Sequence, residues 1–164
     1  MIWIVGGPTS AGKSFFLGSP HAEEVTGLPR GTRVLFPRHL GPPAPPPDQD
    51  AYVHYNILRP FQRQDRPQDV AIGPRMFEGD AQWRAVLAIP ADKKAVVVVT
   101  DRETLVRRVK ARRSVETGDP HEYGIARWLR IYEAVDVEAV YDAWRAELAW
   151  RGIASVEVDG GGGA

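Results

Sequence analysis

Apolar and polar positions alternate along this chain in blocks that spell out strands and helices. Ile2-Trp3-Ile4-Val5 and Ala95-Val96-Val97-Val98-Val99 are continuously apolar. Runs of that kind read as strands buried on both faces of a parallel sheet. Thr32–Phe36, Ala51–Leu58 and Ile153–Val158 add three more strands. A short helix after Lys13 ends at Gly18-Ser19-Pro20, and a helical turn or two follows over His21–Val25. Gly79–Leu87 predicts a short helix with Asp80 as its N-cap, and helix signals run from Arg102 to Arg113. Ile125, Trp128, Leu129, Tyr132 and Val135 recur at helical spacing. Val137, Val140, Tyr141, Trp144 and Leu148 make a second stripe, opened by Asp136 and closed by Gly152. Trp128 and Trp144 fall on these stripes and read as core.

The order β, α, β, β, α, β, α, α, α, β predicts an α/β fold: one mainly parallel five-stranded sheet flanked by helices in three layers. Between the elements lie loops. Residues 41–50 are proline-rich and read as a stiff exposed connector, or as a ligand for a proline-recognising domain. Residues 61–75 form a long polar loop, and 114–123 another around Gly118, Asp119 and Pro120. Residues 160–164 read as a flexible tail, leaving 1–159 as a single domain.

The first strand leads into Gly7-Pro8-Thr9-Ser10-Ala11-Gly12-Lys13-Ser14, which fits G-x-x-x-x-G-K-[ST], and a helix opens directly behind it. Strand, glycine loop and helix together are the context in which this spacing carries chemistry. Gly7 and Gly12 let backbone N–H groups converge, and the helix start adds the positive end of its dipole. Lys13 can supply a cation for the β- and γ-phosphates, and the Ser14 hydroxyl can ligate Mg²⁺. The segment resembles the Walker A loop of the P-loop NTPase superfamily, which implies a nucleotide-binding domain with ATP and Mg²⁺ as ligands.

Composition changes this picture little. The chain has 164 residues, 43% hydrophobic and 26% charged, with zero formal net charge. That suits one soluble domain and shows no clear nucleic-acid or membrane surface. No cysteine is present, which removes disulfides and thiol chemistry. No apolar run approaches the roughly 20 residues that span a bilayer. The N-terminus lacks the basic region of a signal peptide, so the expected location is cytoplasmic.

Other candidates lie where the strands end. Arg108 and Arg112 are spaced i, i+4 on the helix after the Val-rich strand, ahead of a loop. They suit a lid over residues 103–123 that pairs with transferring phosphate, or else a solvated charged face. With the Walker A loop, the Leu105-Arg108-Arg112 spacing resembles small-molecule kinases of the adenylate, shikimate and gluconate kinase type. That resemblance implies transfer of a γ-phosphoryl group to a small substrate.

Many P-loop enzymes end the third strand with Asp, whereas this chain has His54-Tyr55-Asn56. Asn56 can hold a metal-bound water or substrate, and His54 is a general base or a hydrogen-bonded core residue. Arg59, Arg63 and Asp65 follow on the ligand side as candidate substrate contacts. Asp101 follows the fourth strand as a metal or base carboxylate, or as the cap of the next helix. Two further alternatives stand beside the kinase. One is a non-catalytic nucleotide-binding switch without the Asp. The other is a prenyltransferase, since the loop wording is similar to that of tRNA dimethylallyltransferases, although their Asp-Ser-x-Gln element is missing here.

Overall fold

The structure, a computed structural model, describes residues 1–37, 40, 49–58, 76–115 and 121–161, with the side chains of 112–115 and 121–127 outside that description. Five strands form one all-parallel sheet in the order β2-β3-β1-β4-β5. In chain order the elements are β1 (Ile2–Gly7), α1 (Lys13–Leu17), α2 (Pro20–Thr26), β2 (Val34–Leu35), β3 (Ala51–Asn56) and α3 (Ala81–Leu87). β4 (Lys93–Val99), α4 (Arg102–Val115), α5 (His121–Ala134), α6 (Val137–Trp150) and β5 (Ala154–Asp159) follow. The α/β class, the parallel sheet and its five strands are as the apolar pattern predicts. Among the described residues, no helix is long and apolar enough to cross a membrane.

The continuous apolar character of β1 and β4 is explained by their place. β1 lies between β3 and β4, and Ile2, Ile4, Val5 and Val96–Val98 are fully buried. Strand side chains alternate between faces. The Tyr52 hydroxyl meets Thr26 Oγ1 of α2 at 2.7 Å, so α2 covers the face that also carries His54 and Asn56. Tyr55 points the other way, into a cluster with Trp83 of α3 and Trp144 of α6, at ring separations of 5.2 Å each. Helices therefore cover both faces, and Trp83 and Trp144 anchor one of them.

Some boundaries differ from the sequence pattern in ways that matter for the site. β2 is only Val34–Leu35, because this edge strand pairs on one side alone, with Tyr52 and Val53. β3 stops at Asn56, although Ile57 N–H still bonds the Gly7 carbonyl. α4 runs to Val115 and α5 begins at His121, so residues 114–115 and 121–123 of the expected loop are helical. Its breakers, Gly118 and Pro120, all lie within 116–120, and nothing before them opposes helix. Gly160 and Gly161 belong to the packed structure and not to a loose tail. Gly160 N–H bonds the Val99 carbonyl at 2.8 Å, and Gly161 N–H bonds Asp159 Oδ1 at 2.8 Å. The proline-rich segment at 41–48 and the polar loop through residue 75 lie outside the described residues.

Candidate functional site

The chain leaves β1 toward β2 on one side, then crosses from β3 to β4 on the other. The carboxyl end of β1 is therefore a point where strand order reverses, which is where parallel sheets bind ligands. The loop Gly7–Ser14 sits at that end. Two of its residues adopt left-handed backbone: Ser10 at φ 69° and Gly12 at φ 104°. Such angles suit glycine at 12 and are uncommon for serine at 10. Gly7 is needed for a different reason. A Cβ built there stands 3.1 Å from both Ala11 Cβ and the Val98 carbonyl.

Lys13 is 4% exposed and folds back across the loop. Its Nζ donates to the Gly7 and Pro8 carbonyls, each at 2.7 Å. The remaining loop carbonyls are held from outside. Tyr132 of α5 donates its hydroxyl to the Thr9 carbonyl. Arg108 of α4 donates to the Ser10 carbonyl at 3.1 Å and to the Gly160 carbonyl. Thr100 donates its hydroxyl to the Ala11 carbonyl at 2.7 Å. Every carbonyl from Gly7 to Ala11 is thus the acceptor of a side-chain bond.

The N–H groups behave differently. Ala11 N–H closes a turn onto the Pro8 carbonyl at 3.1 Å. Among the described residues, no group accepts from the N–H of Thr9, Ser10, Gly12 or Ser14. The Ser10 hydroxyl is also buried without a hydrogen-bond partner. A loop whose carbonyls from Gly7 to Ala11 are occupied while several of its N–H groups are not, with a lysine ammonium tied to it, has the chemistry to receive an anion.

Thr100, Tyr132 and Gly160 had no motif to mark them. Thr100 follows the Val-rich strand, on the side where ligands bind, and that position was the available signal. Tyr141 supports Thr100 from α6: it accepts from Thr100 N–H at 3.1 Å and donates to the Val98 carbonyl at 2.6 Å. Burial pushes the Tyr141 hydroxyl well above its ordinary pKa, so it keeps its proton.

The other predicted residues fall as follows. Ser14 is exposed in the first turn of α1. Asn56 is half-buried and stands opposite Gly7 in the β1–β3 register. His54 is half-buried, one pleat further back opposite Val5, with its ring 5.2 Å from that of Phe36. Asp101 is the cap of α4. Its carboxylate accepts from Thr104 N–H at 2.8 Å and from Thr104 Oγ1 at 3.0 Å, and these bonds hold its pKa below the usual aspartate value. Arg112 is one turn beyond Arg108 in α4, with its side chain outside the described set. Arg59, Arg63 and Asp65 lie outside the described residues. Also among the described residues, no group of three or more His, Asp or Glu is arranged to hold a metal ion. No protein-family model matches the chain, and no curated protein matches it.

Proposed function

We propose that this protein binds the phosphates of ATP, with Mg²⁺, in the Gly7–Ser14 loop and transfers the γ-phosphoryl group to a small hydroxyl-bearing or anionic substrate. The observation that carries this is the set of N–H groups at Thr9, Ser10, Gly12 and Ser14, unpartnered among the described residues, around the buried Lys13. Phosphoryl transfer requires little of a protein beyond holding phosphate oxygens and stabilising their charge, and this arrangement suits both tasks.

The N–H groups orient the phosphate chain, and Lys13 sets a positive charge beside it. Mg²⁺, when bound, neutralises charge on the phosphate oxygens. Ser14 and Asn56 would hold the ion as neutral oxygen donors beside the phosphates. Asn56 stands opposite Gly7 at the same end of the sheet, which supports a role in holding a metal-bound water or the acceptor substrate. Calorimetric titration with ATP and Mg²⁺ tests the reading. ATP should bind the wild type and bind Lys13→Ala far more weakly, and equal affinities would defeat the assignment.

A second reading, a nucleotide-binding switch without catalysis, is favoured by one observation. Asn56 stands where a carboxylate is expected, and Asp101 is engaged in capping α4. Single-turnover transfer of phosphate to a substrate found by thermal-shift screening separates the two. Transfer supports the kinase, and tight ATP binding with no transfer supports the switch.

A further inference from the structure

In a trans peptide the C=O of one residue and the N–H of the next point in opposite directions. Fixing a carbonyl on one side of a loop therefore turns the following N–H to the other side. In this loop three of the braced carbonyls, those of Pro8, Thr9 and Ala11, are each followed by an N–H unpartnered among the described residues. Lys13 holds the Pro8 carbonyl, and the next N–H, of Thr9, is unpartnered. Tyr132 holds the Thr9 carbonyl, and Ser10 N–H is unpartnered. Thr100 holds the Ala11 carbonyl, and Gly12 N–H is unpartnered. Arg108 holds the Ser10 carbonyl, and the next N–H, of Ala11, closes the turn onto Pro8.

We infer that Tyr132 and Thr100 are positioning residues for phosphate binding: by holding the Thr9 and Ala11 carbonyls from behind, they aim the N–H groups of Ser10 and Gly12 at the anion. The inference rests on the phosphate-binding reading of the loop and names two residues outside the motif on which that binding depends. A carbonyl swinging inward would place a partial negative charge against phosphate and withdraw a donor at the same time. Both braces are rigidly mounted. Tyr132 is fully buried, and its ring lies 5.6 Å from that of Trp128. Thr100 is 2% exposed, with its backbone held by Tyr141. The helices after β4 are thereby fastened to the rear of the loop, with Arg108 adding a tie to Gly160.

The test uses inorganic tripolyphosphate, which has no base or sugar, titrated calorimetrically into the full chain, with thermal unfolding measured alongside. Tyr132→Phe deletes one hydroxyl, and Thr100→Val replaces one by a methyl of similar size. Each should weaken tripolyphosphate by about fivefold to tenfold, the value of one hydrogen-bonded donor. Tyr52→Phe is the comparison, since its hydroxyl bonds Thr26 away from the loop. It should shift the melting temperature and leave tripolyphosphate affinity unchanged. If Lys13→Ala loses the probe while Tyr132→Phe and Thr100→Val bind it as wild type does, the positioning role is wrong and the loop reading stands. An equal loss in Tyr52→Phe means general loosening and also overturns it. A wild type that binds no tripolyphosphate overturns both. Should Tyr132→Phe fail to fold, Thr100→Val decides alone.

Discussion

The Trp144 indole covers Gly6 so closely that a Cβ built on Gly6 would stand 2.9 Å from Trp144 Nε1 and 3.1 Å from Cε2 and Cζ2. Gly6 precedes the Gly7–Ser14 loop, yet its lack of a side chain serves the core beneath it. Trp144 is fully buried against Tyr55, Phe77 and Trp83 and has no room to retreat. Gly6→Ala should therefore destabilise the fold by about 1–3 kcal/mol, the usual cost of overpacking. Urea unfolding followed by tryptophan fluorescence measures it, and an unchanged midpoint would show that the indole yields freely.

Glu147 is a buried carboxylate shared between two donors. Trp83 Nε1 donates to its Oε1 at 3.0 Å, and Arg151 Nε donates to the same oxygen at 2.9 Å. Glu147→Ala strands the Trp83 N–H in the core, at a cost of about 1–3 kcal/mol. Glu147→Gln keeps an acceptor for Trp83 and should recover much of that loss. Chemical unfolding of the pair checks the order, and equal losses would mean the Arg151 ion pair matters more than the indole bond.

Lys13→Ala should remain folded although Lys13 is buried. The two carbonyls it releases keep other donors, Ile57 N–H on Gly7 at 3.2 Å and Ala11 N–H on Pro8 at 3.1 Å. Affinity for ATP should fall by more than about tenfold, as for loss of a charge-assisted bond. Thermal unfolding and titration on the same sample test both halves, and a melted variant would reveal Lys13 as a structural strut.

Stability should depend on pH through Asp101. Its pKa is depressed in the folded chain, first by the Thr104 N–H bond and then by the Thr104 hydroxyl. The unfolded chain therefore binds the proton more readily. The contribution is present above the ordinary aspartate value of about 3.9 and is lost as pH falls through the lower folded value. Asp101→Ala should lower the unfolding midpoint at pH 7, and its difference from wild type should shrink toward pH 3. A difference that does not change with pH would assign the effect to helix propensity and not to the charged cap.

Arg107 and Arg108 are neighbours with opposite surroundings: Arg107 is exposed, whereas Arg108 reaches Ser10 and Gly160. Under the proposed phosphotransfer, Arg108→Ala should slow turnover by about tenfold or more, because the loop it braces loses its fixed shape. Arg107→Ala should be near neutral, within about 0.5 kcal/mol in stability. Background ATP hydrolysis serves as a first assay, and equal effects of the two substitutions would undo the assignment of Arg108 to the loop.

What the sequence determined by itself is local. β1, the loop and α1 are legible in the first 17 residues because apolar runs, glycines at special φ and helix starts act over a few neighbouring peptides. The N-caps at Asp80 and Asp136 are legible for the same reason, each bonding an N–H two or three residues on. The cap at Asp101 stood among its alternatives and needed only the Thr104 geometry to be placed. What the tertiary structure decided is which distant groups meet. Thr100, Arg108 and Tyr132 lie 89, 98 and 123 residues from the carbonyls they hold. No periodicity encodes such pairings, since the order of strands, with β4 beside β1 and β5 beyond it, brings them together. Gly160 shows the same limit: four glycines in a row read as slack chain, yet the first has no room for a Cβ between Ala11, Thr100 and Val98. Conformational preference belongs to a residue and its neighbours, whereas close approach belongs to the sheet that folds them onto one another.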